Sequence, residues 1–132
     1  MGQRCNSTSR ILVHREVEEQ FIARLLDSLR RYVPGDPTDE ETMLGPLASE
    51  PALNRYSDIT NRPGEWLLAG EALSEVSGKR GYYVKPAVLY SPAGSPLGEQ
   101  EVFCPVATFE SFRDFGEAMA LHESTPFGLT AS

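Results

Sequence analysis

The stretch Arg10-Ile11-Leu12-Val13-His14, followed at once by the segment from Glu16 to Tyr32, decides the fold. The first five residues are short, apolar and β-branched, and read as a strand. In the second segment Val17, Phe21, Ile22, Leu25, Leu26 and Leu29 recur at three-to-four spacing. That spacing makes one apolar stripe and predicts a helix over 16–32. Glu16, Glu18 and Glu19 crowd its start and Arg30 and Arg31 its end, an order that complements the helix dipole. Pro34-Gly35 stops it, since proline cannot continue the ladder and glycine accepts positive φ.

The same alternation continues along the chain. Ser49 is a good N-cap for a second helix, with Pro51 tolerated in the first turn and Leu53, Tyr56 and Ile59 facing a core. Trp66 to Ala69 reads as a short strand, and Glu71 to Lys79 as a polar surface connection. Tyr82 to Tyr90 is apolar but interrupted by Pro86, which leaves either an edge strand or two short strands meeting at a bend. Ser91 to Gln100 is a Pro/Gly-rich loop. Pro105 to Phe112 alternates as a strand does, and Arg113 to Ser124 reads as a third helix. Strands alternating with helices argue an α/β fold with an open, largely parallel sheet flanked by helices.

The 132 residues fit one domain, and 40% hydrophobic with 23% charged residues is ordinary globular usage. The net charge of −7 is opposite to what phosphate binding wants, so a nucleic-acid partner is not expected. Arg24, Arg30 and Arg31 share one helical segment and read as a solvated face. No apolar run approaches the ~18 residues of a membrane span, so no membrane partner is expected. Cys5 and Cys104 are far apart and form no CxxC pair, so no zinc site is expected. The sparse cysteines and the absence of a charged-then-apolar leader after Met1 point to the cytoplasm.

By residue type, Cys5 is the reactive candidate. Gly2, Asn6 and Ser7 are small or polar and would let backbone N–H groups approach an oxyanion, and Arg4 could lower a thiol pKa. The alternative is a free cysteine in a frayed terminus. Cys104 follows Val102-Phe103 and reads as a buried thiol. His14 and His122 lie at no triad spacing and read as structural or exposed. Glu99 and Glu101 would share a face of an extended strand, more often a solvated surface than a dyad.

Five segments in order then carry a resemblance. They are Gly2-Gln3-Arg4-Cys5 with Ser9-Arg10-Ile11-Leu12-Val13-His14, and Gly35-Asp36-Pro37 with Asp39, Thr42 and Gly45-Pro46-Leu47. Next come Gly81-Tyr82-Tyr83-Val84 with Pro86 and Val88-Leu89, and Glu101-Val102-Phe103 with Pro105-Val106. The last is Thr125 with Phe127-Gly128-Leu129 and Ala131-Ser132. Together the chain resembles the catalytic-cysteine half of the aldehyde dehydrogenase superfamily. That family usually has glycine where this chain has Cys104.

The resemblance implies that residues 1–132 are a partial, truncated catalytic domain, with the cofactor-binding domain absent. It implies an oxidoreductase whose parent enzyme converts an aldehyde or semialdehyde to a carboxylic acid with NAD or NADP. Cys5 would be the nucleophile and pass through a thiohemiacetal and a thioester. Glu101 would hold the nicotinamide-side ribose and Phe103 would pack beside it, while Gln3 and Asn6 would shape the substrate pocket. The parent is expected to be a homo-oligomer. The isolated chain is expected to be inactive in hydride transfer, since the cofactor carries the hard chemistry. The alternatives are a non-catalytic binding or assembly module that retains the fold, or a weak thiol esterase.

Overall fold

A computed structural model describes residues 2–91, 97 and 100–131. β1 (Arg10–His14) leads through a 3-10 turn at Arg15–Val17 into α1 (Glu18–Leu29). The helix proper is shorter than the 16–32 read from the stripe. The His14 ring accepts from the Glu16 backbone N–H (3.3 Å), which holds the entry as a separate tight turn. At the other end Arg31 N–H bonds to Ser28 and Tyr32 N–H to Leu29, closing the last turn with i→i−3 bonds.

α2 spans Glu50–Thr60, followed by β2 (Glu65–Leu68), β3 (Ala72–Val76), β4 (Lys79–Val84), β5 (Ala87–Tyr90), β6 (Val106–Phe112) and α3 (Phe115–Glu123). Four strands form one sheet in the order β1-β6-β5-β2. β6 runs parallel to both β1 and β5, while β2 is antiparallel on β5 at the edge. The α/β architecture with a largely parallel sheet and flanking helices is therefore present. α3 is capped by Asp114, whose carboxylate accepts from Glu117 N–H (2.9 Å), while Glu117 accepts in return from Arg113 N–H (2.7 Å).

The segment 71–79 departs from the expected surface connection. It forms β3, which pairs with β4 as a separate antiparallel ribbon. The reason is turn chemistry: Ser77 and Gly78 both take positive φ (52° and 77°), the requirement of a two-residue hairpin turn. Lys79 then pairs with Asp36 of the preceding loop and holds that carboxyl down at about 2. The run 82–90 resolves as two strands. β4 belongs to the ribbon and β5 to the sheet, with Lys85-Pro86 between them.

The sheet buries both faces. On one, α2 sets Ala52, Tyr56 and Ile59 against Val84, Leu89 and Val106, with Leu53 only half-buried. On the other, Val13, Val88 and Phe109 meet Ile22, Leu25 and Leu29 of α1. Tyr56 has no exposed surface, and its hydroxyl donates to the Lys85 carbonyl (2.6 Å), which ties α2 to the ribbon–sheet crossing. Ser49 takes the extended N-cap conformation for α2, but its hydroxyl makes no cap bond.

Candidate active site

Cys5 lies in a closed turn. Ser7 N–H bonds to the Arg4 carbonyl (3.0 Å), and Arg4 N–H bonds back to the Ser7 hydroxyl (3.3 Å), leaving Cys5 and Asn6 exposed at the tip. Two further contacts anchor this turn. Gly2, at φ +64°, sits so close to the Cys104 carbonyl that any Cβ would overlap it. The Gln3 side-chain oxygen accepts from Ala48 N–H (3.2 Å), just ahead of α2.

The segment Glu101–Pro105 meets the turn from the other side. Glu101 is exposed, Val102 and Cys104 are buried, and Phe103 is half-buried. Phe103 takes φ +53°, a left-handed conformation that costs a side-chain-bearing residue roughly 1–2 kcal/mol. Beyond it Val106 N–H bonds to the Cys104 carbonyl (2.7 Å), and Ala87 N–H to the Pro105 carbonyl (2.9 Å), which fixes the segment to β5.

Cys5, Asn6, Glu101 and Phe103 line one cleft of about 1130 Å³. Gln3 does not join them; its side chain is used on Ala48. The shared strand face expected of Glu99 and Glu101, read as a solvated surface, falls partly on Glu99, which lies outside the described residues. His14 donates from Nε2 to the Arg113 carbonyl (2.8 Å), away from the cleft, whereas exposed His122 lines it. Phe21, on the apolar stripe of α1, also lines the cleft and stacks at a tilt on Phe109, centroids 6.0 Å apart. Arg10 is a cleft residue that residue typing passed over. Its role depends on Glu110, one hundred positions away, which no local pattern signals.

Cys104 is buried in the α2-side core with Tyr56 and Val84. Burial pushes its thiol up to about 12, against the weaker pull of the Arg55 guanidinium. The two cysteines thus differ in kind: both border the cleft, but Cys5 is exposed in it while the Cys104 side chain is buried in the core behind it and held as a neutral thiol. Among the described residues, no three His, Cys, Asp or Glu side chains cluster as a metal site would require. No described helix is long and apolar enough to cross a membrane.

An exposed thiol at a pinned turn, in one cleft with a carboxylate and an aromatic ring, can add to an electrophilic carbon while a polar ligand lies alongside. Known proteins share both sequence and shape with this chain. The sequence model of the Aldehyde dehydrogenase family matches residues 1–132. An acetaldehyde dehydrogenase of Pseudomonas aeruginosa is 35% identical over 98% of this chain and 27% of its own length. The γ-glutamyl-γ-aminobutyraldehyde dehydrogenase of Burkholderia cenocepacia superposes with a TM-score of 0.87 at 32% identity, over 98% of this chain and 26% of its own. An NAD-dependent aldehyde dehydrogenase of Sinorhizobium meliloti gives 0.87 at 33%, over 97% and 26%. The chain spans about a quarter of the length of these relatives. With the family's sequence model matched from end to end, the chain belongs to the aldehyde dehydrogenase family.

Proposed function

We propose that residues 1–132 are the cysteine-bearing part of a catalytic domain, and that the whole enzyme oxidises an aldehyde or semialdehyde to a carboxylic acid with Cys5 as nucleophile. The observation that carries this reading is the meeting of the Cys5 turn with Glu101 and Phe103 in one cleft. The Cys5 thiolate adds to the aldehyde carbon, forming a C–S bond as the carbonyl π pair moves to oxygen. The Cys5 backbone N–H lies on the same turn and is the donor assigned to that oxygen. Loss of hydride leaves a thioester on Cys5. Water then attacks the acyl carbon, releasing the acid and returning the sulfur as thiol.

The residues present fit the nicotinamide-ribose end of NAD or NADP. Glu101 is an exposed carboxylate that accepts hydrogen bonds, as a ribose diol requires, and half-buried Phe103 offers a ring beside it. The cofactor, when bound, supplies the hydride acceptor. Glu101 and Phe103 bind and orient it, and Asn6, next to Cys5 at the tip of the turn, shapes the substrate pocket. The Sinorhizobium meliloti relative is NAD-dependent, which supports the same cofactor class here.

The test needs no cofactor. A p-nitrophenyl ester should acylate Cys5, with one acyl group per chain found at Cys5 by mass spectrometry and none after Cys5→Ala. Acylation of Cys5 no faster than that of glutathione under the same conditions would remove the basis of the reading.

A further inference from the structure

We propose that Arg10 is a positioning residue for the Cys5 cleft: it clips the end of α3 and so holds the wall formed by residues 125–131 across from the nucleophile turn. The inference rests on the reading of Cys5 as nucleophile and adds what sets access to it.

Arg10 opens β1, five residues after Cys5, and itself lines the cleft. All three nitrogens of its guanidinium find partners. Nε and Nη2 both reach Oε1 of Glu110 (3.0 and 2.9 Å), and Nη1 donates to the Leu121 carbonyl (2.9 Å) and lies 3.4 Å from the Ser124 hydroxyl. Both partners are out of water, with side chains 14% and 3% exposed. Glu110 comes from β6, in register with Leu12 of β1, so the pair bridges neighbouring strands. Leu121 is in the last turn of α3, where free carbonyls favour a cation. One side chain therefore joins β1, β6 and α3.

The wall begins where that clip ends. Thr125 to Ala131 line the cleft, and residues 126–130 are exposed. Among the described residues the hydrogen bond recorded within this stretch is local, from Phe127 N–H to the Thr125 hydroxyl (3.3 Å). Phe127 and Leu129 are 50% and 68% exposed, so little packing holds them. The firm attachment lies at the root. There the Ser124 hydroxyl donates to the Leu121 carbonyl (2.8 Å), the same oxygen that Arg10 holds. Loosening Arg10 frees the root, and the wall swings from Cys5.

A merely structural Arg10 and a positioning Arg10 differ in what Cys5 admits. The measurement is the ratio of Cys5 alkylation rates by iodoacetamide and by the bulky N-(1-pyrenyl)maleimide, with buried Cys104 as the check on folding. In the unchanged chain the small reagent is favoured by the wall. Arg10→Met and Glu110→Gln should lower that preference about fivefold while Cys104 stays protected, because a local opening exposes the site without global unfolding. Arg10→Lys, which keeps the charge but not the fork, should recover part of it. If Cys104 becomes reactive in these variants, Ser124→Ala decides, since it leaves the ion pair intact and should still lower the preference about twofold. An unchanged ratio with Cys104 protected, or in Ser124→Ala, overturns the proposal. A slow Cys5 acylation in the unchanged chain would instead count against the nucleophile reading and leave this ratio interpretable.

Discussion

Gly2 rests against the carbonyl oxygen of Cys104, at a φ of +64° that no ordinary side chain adopts at ease. This contact brings the Cys5 turn against the segment bearing Glu101 and Phe103. Gly2→Ala adds a left-handed penalty of about 1–2 kcal/mol to a backbone overlap that only movement can relieve. The expected result is a lower melting temperature together with altered Cys5 labelling, because the turn must lift off. Thermal melts and Cys5 alkylation rates, read side by side, check both parts.

Phe103 stores strain in the opposite wall, at φ +53°. Asparagine tolerates the left-handed region far better than phenylalanine. Phe103→Asn should therefore leave stability unchanged or raise it by up to about 1 kcal/mol, while removing the ring assigned to the cofactor. Urea unfolding reads the first effect. A loss of several kcal/mol would show that the ring is packing and not paying out strain for position.

The buried thiol of Cys104 gives the molecule an alkaline weakness. Its folded value is about 12, above the ordinary thiol value near 8.5. Below that ordinary value both states hold the proton. Between there and about 12 the unfolded chain loses it while the folded chain keeps it, so stability falls as pH rises. Tyr56, raised above its ordinary 10.0 mainly by desolvation, adds a second decline that begins nearer pH 10. Cys104→Ala should remove the first decline and leave the second. Urea midpoints collected from about pH 8 to pH 11 distinguish them.

Tyr56 is also the post between α2 and the Lys85 carbonyl. Tyr56→Phe keeps the ring and strands that carbonyl in the interior, at a cost of about 1–3 kcal/mol. The loss should appear as a shifted urea midpoint with an unchanged slope, since the surface exposed on unfolding is the same.

Local periodicity carried much of this fold, and the places where it failed share a cause. β1, β6 and the faces of α2 follow from patterns confined to a few residues, and Pro86 marks the break between β4 and β5. The ribbon is not legible in the sequence because Ser77-Gly78 sits among charged residues, whose polarity masks a hairpin turn. α1 is shorter than its apolar stripe because the stripe continues into residues that adopt tighter turns. In the cleft, residue type and resemblance named Cys5, Asn6, Glu101 and Phe103, which do share one space. Adjacency to Cys5 points Gln3 to the pocket, yet its amide oxygen accepts from Ala48 N–H instead. Arg10 was invisible because its partners, Glu110 and Leu121, are distant in sequence and come near only when β1 pairs with β6.

Aldehyde protection of Cys5 tests the central claim most directly. The chain is incubated with increasing propanal, and the rate of Cys5 alkylation by iodoacetamide is followed with glutathione as the reference thiol. A thiohemiacetal formed in a cleft built for it should protect Cys5 saturably, at concentrations about tenfold below those that protect glutathione, which corresponds to about 1.4 kcal/mol of site-specific binding. Protection no better than that of glutathione would contradict the assignment of Cys5 and its cleft as the aldehyde site.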